Sequence, residues 1–176
     1  NKMNILELDN YVPESVCKDM CEIFDESEEM AGQREFFESD KLQLISCEMR
    51  NLSTKHKLKG NNWQKNMVMF AKGTNLAYKK WCEKFGVEKE DVTLEIPRAY
   101  RQDPDFGQHI VDNVDPNRVF SVFFYLNDVD KGDLRLDGKI YKSRMGKAIA
   151  FDSGPFEDLP SKNYMKYVVK CHLRKK

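Results

Sequence analysis

The one stretch whose residue types and spacing could do chemistry is IPRAYRQDPDFGQHIVDNVDPNRVFSVFFYLN, beginning at Ile96. His109 and Asp112 sit in a turn-rich loop, with Gly107 just before and Asn113 just after. The loop is flanked by two strand-like runs. Val92 to Tyr100 is β-branched and aromatic around one Pro. Val119 to Leu126 is almost wholly apolar, as suits a strand buried on both faces. A His and an Asp a few residues apart at the mouth of a small β-barrel supply half of a metal site. His56 stands among lysines and reads as solvated, and His172 lies near the end of the last strand-like run.

The elements that must position this loop can be read in chain order. Asn4 to Leu8 reads as a short strand. Pro13 suits the first turn of a helix carrying Val16, Met20, Ile23 and Phe24 at helical spacing to about Ser27. Leu42 to Cys47 reads as a strand. Asn61-Asn62 begins the longest helix, with Trp63, Met67, Phe70, Thr74, Ala77, Trp81 and Phe85 on one face and Gly86 at its end. Asp137-Gly138 marks a hairpin between Leu134-Leu136 and Ile140-Tyr141. Ala148 to Phe151 is a further strand. In Tyr164 to His172, Tyr164, Lys166, Val168, Lys170 and His172 alternate with Met165, Tyr167, Val169 and Cys171. Arg174-Lys175-Lys176 reads as a frayed tail. Helices first and many short strands after them predict an α+β fold: a jelly-roll, cupin-like barrel backed by two helices from the N-terminal half. One domain spanning 1–176 is expected, with helical support in 12–86 and barrel strands mainly in 92–173.

Composition narrows the partners. Lys plus Arg and Asp plus Glu are 29 each. Nothing in that balance asks for nucleic acid or an anionic membrane. No apolar run exceeds five residues, so no transmembrane span is expected. The five Cys contain no Cys-x-x-Cys and read as reduced thiols, pointing to a cytoplasmic protein. Cys17 and Cys21 share a helix face without a nearby His and read as small core residues, not zinc ligands.

Arg98, Tyr100, Gly107, His109, Asp112, Asn113, Ser121 and Tyr125-Leu126-Asn127-Asp128, with Gly146 and Ala148 to Phe151 beyond, resemble the small prolyl-4-hydroxylase-like branch of the Fe(II)/2-oxoglutarate-dependent oxygenases. That resemblance implies a double-stranded β-helix. It implies Fe(II) held by two His and one carboxylate, and 2-oxoglutarate as cosubstrate. The expected reaction is hydroxylation of a C–H bond in a peptide (prolyl-like) or small-molecule substrate. The pattern departs in two places. Two residues, Ile110 and Val111, separate His109 from Asp112 where the family has one. No His follows Phe151 at the expected distance; the matching position is Glu157, nine residues before Lys166.

The metal set implied is therefore His109, Asp112 and Glu157, a harder donor set that also suits Mn(II) or Mg(II). Lys166, which interrupts an apolar run and needs an anion if buried, is the expected partner of the far carboxylate of 2-oxoglutarate. Tyr100 and Tyr125 are candidate donors to that carboxylate. Arg118 and Ser121 are candidate substrate contacts, with positions 121, 123 and 125 on one face. Three functions fit: an active oxygenase; a catalytically inactive jelly roll serving as a binding or scaffold module, because the distal His is replaced by Glu157; and a cupin-like or lectin-like jelly roll related by architecture alone. Substrate choice would rest with the loops 26–40, 53–62 and 112–118.

Overall fold

The computed structural model describes residues 2–26, 33–36, 43–49, 61–104, 109–111 and 114–176; for 33–36, 43–47, 61–64, 109 and 110 it describes the backbone alone. The described elements are β1 (Ile5–Leu8), α1 (Glu14–Glu26), β2 (Gln33–Phe36), β3 (Gln43–Glu48), α2 (Asn61–Phe85), β4 (Val92–Leu94), β5 (Arg98–Gln102), β6 (His109–Val111), β7 (Arg118–Tyr125), β8 (Leu134–Leu136), β9 (Lys139–Tyr141), β10 (Ala148–Phe151), β11 (Phe156–Asp158) and β12 (Lys166–Lys175). Two long helices and a strand-rich C-terminal half match the expected elements. The split of 92–100 into β4 and β5 falls around Pro97, which cannot donate to a ladder.

The strands form two sheets, neither closed on itself. The larger runs β1-β10-β7-β12-β5-β3-β2, with β4 paired to β12; the smaller runs β6-β11-β8-β9. Three strands thus come from the N-terminal half, so that region gives sheet as well as helical support. The basic C-terminus is not a frayed tail. Arg174 and Lys175 belong to β12 and pair with Thr93 and Val92, and Arg174 reaches Glu95 and Asp115.

Side-chain alternation along the large sheet divides the core into two layers. One face packs on the helices: Phe120, Phe124, Val169, Cys171 and Leu173 meet Cys17, Met20, Phe24, Phe70, Ala77, Tyr78 and Trp81. The other face meets the small sheet: Phe123, Tyr125, Ile149, Phe151 and Val168 pack on Leu134, Leu136 and Phe156. Cys17 is wholly buried in the helix-facing layer, and burial pushes its thiol up to about 11, as expected of a packing residue.

Local chemistry explains the turns. The Asp137-Gly138 hairpin has φ of 51° and 76°, the left-handed pair that a two-residue loop between twisted strands requires. Gly146 has φ of 82°, and a Cβ there would lie 2.7 Å from the Val12 carbonyl oxygen. Its own carbonyl accepts from the N–H of Tyr11 and Val12, tying the entry of α1 to the sheet. The Asn127 side chain fixes the start of β12. Its amide donates to the Met165 carbonyl at 2.7 Å and accepts from the Tyr167 N–H at 3.0 Å.

Phe124 joins sheet to helix, with its ring 5.1 Å from Phe70 and 6.1 Å from Tyr11. Phe124→Ala is expected to lower the unfolding free energy by about 3–5 kcal/mol. Urea unfolding should show a reduced midpoint at unchanged slope.

Candidate functional site

Between the sheets lies a cavity of about 640 Å³. Its apolar wall includes Leu94, Ile96, Val111 and Phe156. Its polar wall includes Arg98, Tyr100, Arg118, Lys170 and His172, with Glu48 and Glu95. A larger groove of about 940 Å³, lined by Asp9, Glu14, Lys142 and Arg144 among others, includes none of the described candidate side chains.

β6 and β11 explain who lines the cavity. Their antiparallel register sets Val111 opposite Phe156, Ile110 opposite Glu157 and His109 opposite Asp158. Opposed residues share a face and neighbours alternate. Phe156 therefore lies on the cavity wall and Asp158 is buried beside it, while Glu157 turns to the other face. There Glu157 stands opposite Arg135 and accepts from its guanidinium at 3.0 Å. The structure thus separates Glu157 from the cavity. The backbone of His109 is placed on β6, and Asp112 lies outside the described residues. Among the described residues, no three His, Cys, Asp or Glu side chains could hold one metal ion.

Where the cavity meets the core, one carboxylate gathers two lysines. Asp158 Oδ1 accepts from Lys166 Nζ, and Asp158 Oδ2 lies 2.8 Å from Lys170 Nζ. All three side chains are at most 2% exposed, too little for water to screen the charges. Burial alone would push the Asp158 carboxyl up, but the two ammonium groups outweigh it and hold the carboxyl well below the usual range. Burial also pulls Lys166 down, partly countered by Asp158. Lys166 further donates to the Leu159 carbonyl at 2.8 Å. The buried Tyr125 hydroxyl points at Asp158 Oδ1 from 3.5 Å, and its phenol is pushed well above 10, first by burial and then by that carboxylate.

The Lys170 ammonium also lies over three rings, 4.5 Å from the centroid of Tyr100, 4.8 Å from Phe123 and 5.0 Å from Phe156. Such a box stabilises a desolvated cation. Of the residues expected to meet a cosubstrate, Lys166, Tyr125 and Tyr100 are thus brought together, and an internal carboxylate is already among them.

Arg118 lines the cavity and grips Glu95 with both arms of its guanidinium, at 2.6 and 3.0 Å. Ser121 is buried, with its hydroxyl 2.6 Å from His172 Nδ1 and 3.2 Å from Ser153 Oγ. Burial, then Arg118 and Lys170, pull the imidazole down to about 3, so it is neutral at pH 7. The residues that sequence reasoning missed are Phe156, Asp158, Lys170 and His172. Lys170 and His172 carried a signal: both fall in the same alternating row as Lys166.

No protein-family model and no curated protein matches the sequence. Solved structures do match. The viral collagen prolyl hydroxylase of Paramecium Bursaria Chlorella virus-1, in its 2OG complex, superposes with a TM-score of 0.68 at 12% identity, covering 98% of this chain and 96% of that one. A Pseudomonas putida prolyl-4-hydroxylase gives 0.62 at 15% identity, covering 98% and 93%. A Trichoplax adhaerens prolyl hydroxylase, solved with a hypoxia inducible factor peptide fragment, gives 0.65 at 12% identity, covering 98% and 84%. At these identities the likeness establishes a shared fold: that of prolyl hydroxylases within the 2OG-Fe(II) oxygenases. No helix among the described residues is long and apolar enough to cross a membrane.

His172 generates a pH dependence. The unfolded imidazole takes a proton near pH 6.5 and the native one near 3, so the unfolded state binds more protons between those values. Stability is expected to fall as pH drops from about 6.5 toward 5, by at most ~1.4 kcal/mol per unit, before most carboxylates titrate. Urea unfolding at pH 7, 6 and 5 checks this, and His172→Asn should flatten the slope.

Proposed function

We propose that this chain is a ligand-binding protein built on the oxygenase double-stranded β-helix, and that the cavity between its sheets takes a small organic acid. One observation carries this reading. Of the two opposed pairs that β6 and β11 set on the cavity side, one is Val111 with Phe156 and the other His109 with Asp158, whose carboxylate is held by two lysines, while Glu157, the residue expected to complete a metal site, is paired to Arg135 on the other face. Neither Val nor Phe can ligate a metal. The donors described do not fit a three-ligand iron site, and no oxidative step is assigned to this chain. What the cavity offers instead is an apolar wall, a tyrosine, a neutral imidazole and the cations Arg98, Arg118 and Lys170, of which Arg118 would be shared with Glu95 and Lys170 with Asp158. These features suit a carboxylate on a compact apolar body.

A second reading is favoured by the fold likeness and the retained Tyr125-Leu126-Asn127 run: an Fe(II)/2-oxoglutarate dioxygenase hydroxylating a peptide or small metabolite. In it His109, Asp112 and Glu157 hold iron or Mn(II), with Lys166, Tyr100 and Tyr125 on the cosubstrate and Arg118 and Ser121 near the substrate. It requires Glu157 to leave Arg135 and turn through the strand, and Lys166 to exchange Asp158 for another carboxylate.

An anaerobic titration with Fe(II) and then 2-oxoglutarate decides between them. The expected result is no charge-transfer band of an Fe(II)–oxoacid chelate; a saturable band would establish the oxygenase reading. Two variants test the strand phase directly. Glu157→His should leave Co(II) affinity unchanged. The double variant Val111→Asp, Phe156→His should raise it at least tenfold, because both new donors face the cavity from opposed positions. A gain in Glu157→His alone would overturn the assignment.

A further inference from the structure

Lys166 and Lys170 stand four residues apart on β12, on the face turned toward the small sheet. The two ammonium groups approach opposite oxygens of one carboxylate, Lys166 at Oδ1 and Lys170 at Oδ2. This is how a receptor for a small oxyanion is built: fixed cations converging on a planar group, desolvated, with a phenol (Tyr125) aimed at the same oxygen. The group they hold belongs to β11. It is contributed by Asp158, one residue beyond Glu157, on a three-residue strand whose ladder partners are β6 and β8.

We propose that Lys166 and Lys170 form a carboxylate-binding site whose resident ligand is the chain's own Asp158, so that the site is closed to free carboxylates in the native protein and becomes a receptor for them when that side chain is removed. The inference rests on the reading of this chain as a binding protein and extends it. The open cavity beside Lys170 receives the external ligand, while the deeper anion position is filled from within. Two features support a ligand-like role for Asp158. Both of its oxygens are engaged by cations. It bridges the two sheets, since its partners lie on β12 and its own strand lies in the small sheet. Gln102, the residue opposite Lys166 on β5, is 2% exposed, and its amide nitrogen has no hydrogen-bond partner among the described residues.

The test is chemical rescue. Asp158→Ala deletes the carboxylate and leaves a space the size of formate between the two ammonium groups. The variant is expected to unfold at a lower temperature than the wild type. Sodium formate should restore about half or more of that loss, beyond what sodium chloride of equal ionic strength restores. The wild type, whose anion position is filled by Asp158, should gain less from formate than Asp158→Ala gains, and an equal gain in both overturns the proposal. A folded Asp158→Ala that formate stabilises no more than chloride, or one as stable as the wild type, overturns the proposal.

If Asp158→Ala fails to fold, 15N-lysine spectra of the wild type and of Asp158→Asn give an independent answer. The proposal expects two slowly exchanging ammonium signals in the wild type, both lost or shifted in Asp158→Asn. Rapid exchange of both in the wild type overturns it. The result is separable from the titration above. A 2-oxoglutarate chelate in the wild type refutes the binding-protein reading. Failed formate rescue in a non-chelating protein refutes only the internal ligand.

Discussion

The interior is organised around one carboxylate between two lysines. Burying three charges is expensive, and their mutual attraction offsets the cost only when every partner is in place. Asp158 meets that condition by engaging Lys166 and Lys170 with different oxygens, and the Leu159 carbonyl takes a further bond from Lys166. Breaking such a cluster by removing one member typically costs about 3–5 kcal/mol, because it strands the others. That asymmetry makes the cluster a constraint more than a source of stability: it fixes the short strand β11 against β12, in the phase that its pairing with β6 and β8 sets.

β12 is the element through which that constraint spreads. It pairs with β7 along one edge and with β5 and β4 along the other. On one face it carries Lys166, Val168, Lys170 and His172 toward the small sheet. On the other, Tyr167 donates to Asp25 at the end of α1, beside Arg101 at 3.1 Å from the same carboxylate. A single strand thus couples the cavity, the ion cluster and the helical layer. Asn127 and Gly146 supply the backbone bonds that hold its neighbours in register.

Most of the frame was legible because its signals are local. Helix spacing placed α1 and α2 within a residue or two, Asp137-Gly138 placed the β8-β9 hairpin, and apolar runs placed β7 and β10. The strands that escaped, β2, β6 and β11, are three or four residues long and polar or mixed in character, so no periodicity could announce them. The site was less legible for a related reason. Whether Glu157 or Asp158 faces inward depends on the phase of a three-residue strand, and that phase is set by pairing with β6 and β8, not by its own sequence. Lys166 was visible as a charge in an apolar run. Its partner was not, because the two meet across sheets.

The wall of the cavity depends on strand phase. On β11 Glu157 comes one position after the cavity-facing Phe156 and so turns away, whereas Asp158, two positions after it, shares its face. On β6 the cavity-facing position opposite Phe156 is Val111. In a strand, one residue of displacement exchanges the faces completely. A fold can therefore keep its strands and turns while the chemistry of its cavity wall changes with a single residue of phase. Once Val111 and Phe156 hold those positions, the apolar wall and the aromatic box around Lys170 reinforce each other, since Phe156 belongs to both. The wall at Val111 and Phe156 and the cluster of Asp158 with Lys166 and Lys170 are thus one packed unit, and a change at either would be felt at the other.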